Sequence, residues 1–155
     1  MANLRELLEM MMRKKASDLH ITVGTPPQLR IDGKLQKLPM DMLTPEDTKK
    51  LAYSIMNEKQ KQKFEEKSEI DLSFGIENLS RYRCNLFMQR GNVAVAIRQI
   101  PFRIPSFEEL GLPKVVMEFA NLPRGLVLVT GTTGSGKSTN LAAIIDKINR
   151  ERHEH

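Results

Sequence analysis

Leu126-Val127-Leu128-Val129-Thr130-Gly131-Thr132-Thr133-Gly134-Ser135-Gly136-Lys137-Ser138-Thr139 is the stretch on which the reading of this chain turns. Gly131 to Ser138 satisfies G-x-x-x-x-G-K-[ST] at every required position. The apolar run Leu126 to Val129 reads as a buried strand, and the residues from Lys137 to Arg150 carry a helical pattern in which Leu141, Ile144, Ile145 and Ile148 are expected to face inward. Strand, loop and helix in that order form the framework of a phosphate-binding loop. Gly131, Gly134 and Gly136 let the backbone curl until successive N–H groups point at one centre, and the helix adds the positive end of its dipole. Lys137 is then expected to reach the β and γ phosphates of a nucleoside triphosphate, and the Ser138 hydroxyl to ligate magnesium. Thr132, Thr133, Ser135 and Thr139 complete the nucleotide-binding segment by position, although each threonine also has an ordinary capping or surface role open to it.

Upstream of the loop, Pro101, Pro105 and Pro113 cluster with Gly111, and proline lacks the donor that a continuing strand or helix needs. This region, 101–113, is expected to link two domains. Before it, Leu4, Leu7, Leu8 and Met11 mark an amphipathic helix from Asn3 to about Lys15. Three short extended runs follow (18–23, 28–31 and 34–38), the last two joined by Asp32-Gly33, a strong hairpin signal. Thr44-Pro45-Glu46-Asp47 supplies a cap, a first-turn proline and two acids ahead of Leu51, so a helix starts there. A polar helix covers Glu58 to Lys67, and strands are expected around Ile70 to Phe74, Arg81 to Arg90 and Val93 to Ile100.

The last two of these strands carry a second signal. A two-residue turn at Gly91-Asn92 puts Cys84, Leu86 and Met88 on one face with Val95 and Ile97. Arg81, Arg83, Asn85, Phe87 and Gln89 then share the other face with Arg98, which this register sets opposite Asn85. Like charges gathered on one sheet face repel and invite an anion, and guanidinium matches phosphate oxygens bidentately. A solvated strand face accounts for the same residues equally well.

Composition bounds the function classes. Of the 155 residues, 40% are hydrophobic and 28% charged, as in ordinary globular proteins. No apolar run is long enough to span a bilayer, so a cytoplasmic protein without a transmembrane segment is expected. The net charge of +5 is spread among interspersed acids rather than gathered in a block, which argues against a nucleic-acid partner. Cys84 is the one cysteine, which excludes an intramolecular disulfide and a cysteine metal cluster.

With the loop and the hairpin established, the chain resembles the type II and type IV secretion ATPases, in their pilus-retraction branch. The likeness rests on Ser17-Asp18-Leu19-His20, Arg30-Ile31-Asp32-Gly33, Asp71-Leu72-Ser73-Phe74 and Arg81-Tyr82-Arg83-Cys84-Asn85. It continues through Phe107-Glu108-Glu109-Leu110-Gly111-Leu112-Pro113 and from Pro123-Arg124-Gly125 across the loop to Arg152-His153-Glu154-His155. The resemblance implies an α/β protein: a PAS-like α+β amino-terminal domain (1–100), the linker (101–113) and the truncated start of a RecA-like P-loop ATPase domain (114–155). It implies ATP and Mg2+ as cofactors, a homohexameric ring and a location peripheral to the inner membrane, where a pilus platform protein is the partner. It also implies that amino-terminal arginines close onto the nucleotide, with Arg83 and Arg98 at the matching positions as catalytic candidates and Arg81 a weaker one. The family's later acidic motifs would follow His155, so the chain reads as an amino-terminal portion of the motor, by itself not expected to hydrolyse ATP. An assembly or type II secretion motor, or a non-catalytic nucleotide-binding or oligomerisation module, remain alternatives.

Overall fold

Antiparallel strands that alternate apolar and polar residues bury one face and leave the other to solvent or a partner. The first part of the chain is built on that rule. A computed structural model describes residues 3–101, 103–132 and 135–151. The chain divides into two compact units, 1–101 and 102–155.

In the first unit, helix α1 (Leu4–Arg13) precedes strands β1 (Asp18–Ile21), β2 (Gln28–Ile31) and β3 (Lys34–Lys37). Helices α2 (Pro45–Tyr53) and α3 (Glu58–Lys67) follow, then strands β4 (Glu69–Ile76), β5 (Ser80–Gln89) and β6 (Asn92–Ile100). The six strands form one sheet in the order β3-β2-β1-β6-β5-β4, with every neighbouring pair antiparallel. All three helices begin with a reciprocal capping box, Asn3 with Glu6, Thr44 with Asp47 and Asn57 with Gln60, so each first turn has its orphan N–H groups satisfied locally. The core lies on one side of the sheet. Leu19 and Ile21 of β1, Leu29 of β2, Tyr82, Cys84 and Leu86 of β5 and Val95 and Ile97 of β6 are buried together with Leu7, Leu8 and Met11 of α1, Leu51 and Ala52 of α2 and Phe64 of α3.

Two hairpins turn through residues that both have positive φ, which matches the right-handed twist of the flanking strands. Asp32 and Gly33 do so between β2 and β3, as the sequence predicts, at +48° and +79°. Between β5 and β6 the turn residues are Arg90 and Gly91, at +51° and +76°, rather than Gly91 and Asn92. Asn92 is instead the first residue of β6, opposite Gln89. Moving the turn by one residue shifts each cross-strand partner by two, so the expected faces survive while the partners change. Arg98 stands opposite Arg83, and Asn85 opposite Ala96.

The second unit contains helix α4 (Lys114–Glu118), a 3-10 turn (Phe119–Asn121) and helix α5 (Lys137–Glu151). Residues 103–113 belong to this unit, with Phe107 buried in it. Here the apolar run departs from expectation. Leu126 to Val129 forms no strand, and Leu126 and Leu128 are 83% and 75% exposed. A buried strand needs neighbours for its N–H and C=O groups, and among the described residues of this unit there is no strand to pair with. For the same reason α5 has little to pack against. Ala143 is its buried residue, Leu141 and Ile145 are exposed, and Ile144 and Ile148 are half-buried, so the inward face expected of the four apolar residues is not formed.

Two core groups generate tests. Burial, with the Asp71 charge adding to it, pushes the Cys84 thiol up to about 12, so at pH 8 roughly one thiol in 10⁴ is ionised. Labelling of Cys84 by a thiol reagent at pH 8 should be at least about 10³-fold slower in the native chain than in denaturant, as followed by mass spectrometry. The Tyr82 hydroxyl is buried with no hydrogen-bond partner among the described residues, while its ring stacks on Phe74 at a centroid distance of 5.4 Å. Tyr82→Phe keeps the stacking and removes an unsatisfied polar group. Urea denaturation should therefore show stability unchanged or raised by up to about 1 kcal/mol, whereas a loss would mean that the hydroxyl is bonded after all.

Candidate functional site

The loop preceding α5 is shaped by glycine geometry. Gly131 has φ +149° and Gly136 φ +85°, in the region that side chains disfavour. A Cβ on Gly131 would lie 2.7 Å from Ser135 Oγ, which could rotate away, so it is the positive φ that favours glycine here. The Ser135 N–H donates to the Thr132 carbonyl at 3.3 Å, and α5 starts with the Asn140 N–H donating to the Gly136 carbonyl at 2.9 Å. Lys137 folds back over the loop, its Nζ donating to the carbonyls of Gly131 at 2.7 Å and Thr132 at 2.6 Å. Ser138, exposed, and Thr139, half-buried, sit in the first turn of α5, where N–H groups have no intrahelical acceptor. Thr133 and Gly134 lie outside the described residues.

These groups fit a polyphosphate. The Lys137 ammonium lies over the loop at the amino end of a 15-residue helix, with Ser138 in the first turn of that helix. Among the described residues no cluster of three or more His, Cys, Asp or Glu could hold a metal alone. A magnesium ion here would therefore be held by the Ser138 hydroxyl, phosphate oxygens and water, in the manner of a hard cation that keeps much of its hydration shell.

The second candidate group lies on the open face of the six-stranded sheet. Antiparallel registry brings Arg30, Asp18, Arg98, Arg83 and Ser73 into one row across β2, β1, β6, β5 and β4. The face is not the uncompensated set of arginines that the hairpin by itself suggests. Asp18 Oδ1 accepts from Arg98 Nε at 2.8 Å, and Asp18 Oδ2 stands 3.3 Å from Arg30 Nε. Asp71 Oδ2 accepts from Arg83 Nη2 at 3.3 Å. Burial pushes the Asp18 carboxyl up, but hydrogen bonds from Arg98 and Ser17 and the charges of Arg98 and Arg30 outweigh it, leaving the group below the usual aspartate range. Arg81 shares the face, exposed, opposite Gly75 and Ile100.

Reading the sequence hairpin by hairpin placed Arg83 and Arg98 on one face, as the ladder does, but did not bring Arg30 or the counter-ions Asp18 and Asp71 to it. The signal for Asp71 was the alternation of β4, and for Asp18 the alternation in Ser17-Asp18-Leu19-His20; both needed a strand partner before they could be placed. His20 is half-buried on this face, with Nε2 3.5 Å from Arg30 Nη2. Its burial, helped by the Arg30 charge, holds its pKa below the ordinary histidine value and keeps the ring neutral at pH 7.

The geometry has counterparts among known proteins. A model described as type II/IV secretion system protein matches residues 2–154. The type IV pilus retraction ATPase PilT of Pseudomonas aeruginosa is 42% identical over 153 residues, which are 99% of this chain and 44% of that protein. The type IV pilus ATPase PilU of the same organism is 38% identical over 150 residues, 97% of this chain and 39% of its own length. A crystal structure of the pilus retraction motor PilT with bound ADP superposes with a TM-score of 0.81 at 50% identity, covering 96% of this chain and 44% of the other. The chain thus spans less than half the length of these relatives. A match over nearly all of its residues, joined to an intact glycine-lysine-serine loop, places this chain in the family of type II/IV secretion system proteins.

Proposed function

We propose that this chain is the amino-terminal portion of a homohexameric ATP-hydrolysing motor that powers type IV pilus retraction. The observation that carries the reading is the phosphate loop: the curl at Gly131, the ammonium of Lys137 folded over it and the first turn of α5 lie together in one G-x-x-x-x-G-K-S segment. Likeness to a retraction ATPase over 99% of this chain, though only 44% of that protein, supports the specific role. Residues 1–100 form the PAS-like domain and 114–155 the beginning of a RecA-like ATPase core, with 103–113, expected from the sequence as the linker, packed as part of the second unit. The exposed run Leu126 to Val129 suits a strand whose sheet is completed by other strands of that core.

In this reading Lys137 leaves the carbonyls of Gly131 and Thr132 for the β and γ phosphates, trading two neutral acceptors for charged ones. The Gly131 to Thr139 segment supplies N–H donors, and the dipole of α5 favours the negative charge. Ser138 offers its hydroxyl to magnesium, which when bound neutralises charge on the phosphate oxygens. Arg83 and Arg98 supply guanidinium groups to the phosphates of a nucleotide held in the assembled ring. No helix among the described residues is long and apolar enough to cross a membrane, which is compatible with a cytoplasmic motor that docks on an inner-membrane platform protein.

Two experiments test this reading. Lys137→Ala leaves the loop with backbone donors and the dipole, so titration calorimetry of the 155-residue chain should detect MgATP binding in the parent and none in the variant. Equal affinities would remove the loop assignment. In the complete ring-forming motor, Arg83→Ala or Arg98→Ala should lower turnover by about 10³-fold while ATP affinity changes little. Lys63→Ala, on the exposed side of α3, is the control and should leave turnover intact. Wild-type rates in both arginine variants, with hexamers confirmed, would reduce the arginine face to solvated surface.

A further inference from the structure

The arginines of the sheet face are held in different ways. Arg83 and Asp71 make an ordinary surface pair, with side chains 67% and 54% exposed, of the kind that fixes neither partner. Arg98 is equally exposed, at 71%, but its partner is not, since only 10% of the Asp18 side chain reaches solvent. Asp18 is itself locked from three directions. Its Oδ2 accepts the Ser17 hydroxyl at 2.8 Å and faces Arg30 Nε at 3.3 Å, while Oδ1 takes Arg98 Nε at 2.8 Å. Arg30 is anchored in turn by an Nη1 donation to the Gly33 carbonyl at 3.1 Å. The bond to Arg98 uses Nε, so the two terminal amino groups of that guanidinium are left for other acceptors. One carboxylate between two guanidiniums leaves the group with a net positive charge.

We propose that Asp18 is the positioning residue of Arg98: it grips the guanidinium by Nε so that the terminal amino groups are preorganised for phosphate oxygens. The inference rests on the nucleotide role of Arg98 given above. A long, exposed side chain otherwise loses its rotamer freedom only when the ligand arrives, and a group fixed beforehand does not. Arg30 has the complementary task. By sharing the Asp18 carboxylate it prevents that carboxylate from cancelling the charge of Arg98, and it holds the carboxylate in place. Ser17 fixes the same carboxylate through a hydrogen bond that adds no charge.

The test uses the complete ring-forming motor, with hexamer formation checked for each variant. Asp18→Asn should lower kcat roughly tenfold or more with ATP affinity nearly unchanged, as for loss of other groups that orient a reacting side chain. In an Arg98→Ala background the same change should cost nothing further. Arg98→Lys, which keeps the charge but has no Nε to grip, should be as slow as Arg98→Ala. Millimolar methylguanidine should restore part of the turnover of Arg98→Ala, where Asp18 can still seat it, and none of the turnover of Arg98→Ala combined with Asp18→Asn. Three results would overturn the positioning role while leaving the nucleotide role of Arg98 standing: Asp18→Asn as fast as wild type, Arg98→Lys as fast as wild type, or Arg98→Ala slow but not rescued. If Asp18→Asn does not assemble, the lysine variant and the rescue of Arg98→Ala still decide. An Arg98→Ala motor turning over at the wild-type rate removes both readings together.

Discussion

The first unit depends on one pairing, that of β1 with β6. Strands β3, β2 and β1 form one antiparallel set near the start of the chain, and β6, β5 and β4 form another near the end of the unit. Local turns account for β2 with β3, β4 with β5 and β5 with β6. Joining the two sets requires β1 to find a strand some 80 residues away, in a register that sets Leu19 beside Ile97 and Asp18 beside Arg98. The entropy of closing so long a loop grows only slowly with its length, and burial of Leu19, Ile21, Val95 and Ile97 under the helices offsets it. The register that completes the core on one side therefore assembles the charged row on the other.

That coupling explains how the open face can carry Arg30, Arg98 and Arg83 in one row. A row of guanidiniums across adjacent strands would be destabilised by mutual repulsion. Alternation places Asp18 between Arg30 and Arg98, and Asp71 beside Arg83, so each cation has a carboxylate in reach. The two acids are not equivalent. Asp18, enclosed between two strands, is held by more bonds than it loses in hydration, whereas Asp71 lies on the edge strand β4 and stays wet. A face of this type holds positive groups in defined places without discharging them, which is the property needed to receive a polyanion.

The second unit illustrates the opposite situation, in which local geometry is present before its tertiary support. The curl at Gly131, the fold-back of Lys137 and the start of α5 need only the residues of the loop itself. Leu126, Leu128, Leu141 and Ile145 remain exposed because, among the described residues of this unit, there is no strand for the apolar run to pair with and no surface for that side of α5 to cover. The conformation of the loop is thus set by short-range geometry.

Much of this was legible in residue order. The helices at Pro45 and Glu58, the Asp32-Gly33 hairpin and the two faces of the β5–β6 hairpin follow from caps, turn residues and alternation, all of which act over a few positions. The phosphate loop is readable for the same reason, since glycine spacing and one lysine define it. The exact partner of Arg98 was not legible, because Arg90-Gly91 and Gly91-Asn92 are both plausible turns that keep the same faces, and only the assembled ladder chose between them. Nor were the buried state of Asp18 and its grip on two arginines, which come from strands far apart in sequence. The apolar run at Leu126 marked hydrophobicity but not burial, for hydrophobicity is a property of the residue and burial a property of its neighbours. The sequence by itself determined the secondary elements of the first unit and the glycine spacing of the loop, because those depend on adjacent residues; tertiary structure decided which charges meet, which apolar residues are covered and whether the run at Leu126 becomes a strand, because those depend on surfaces that only distant segments can supply.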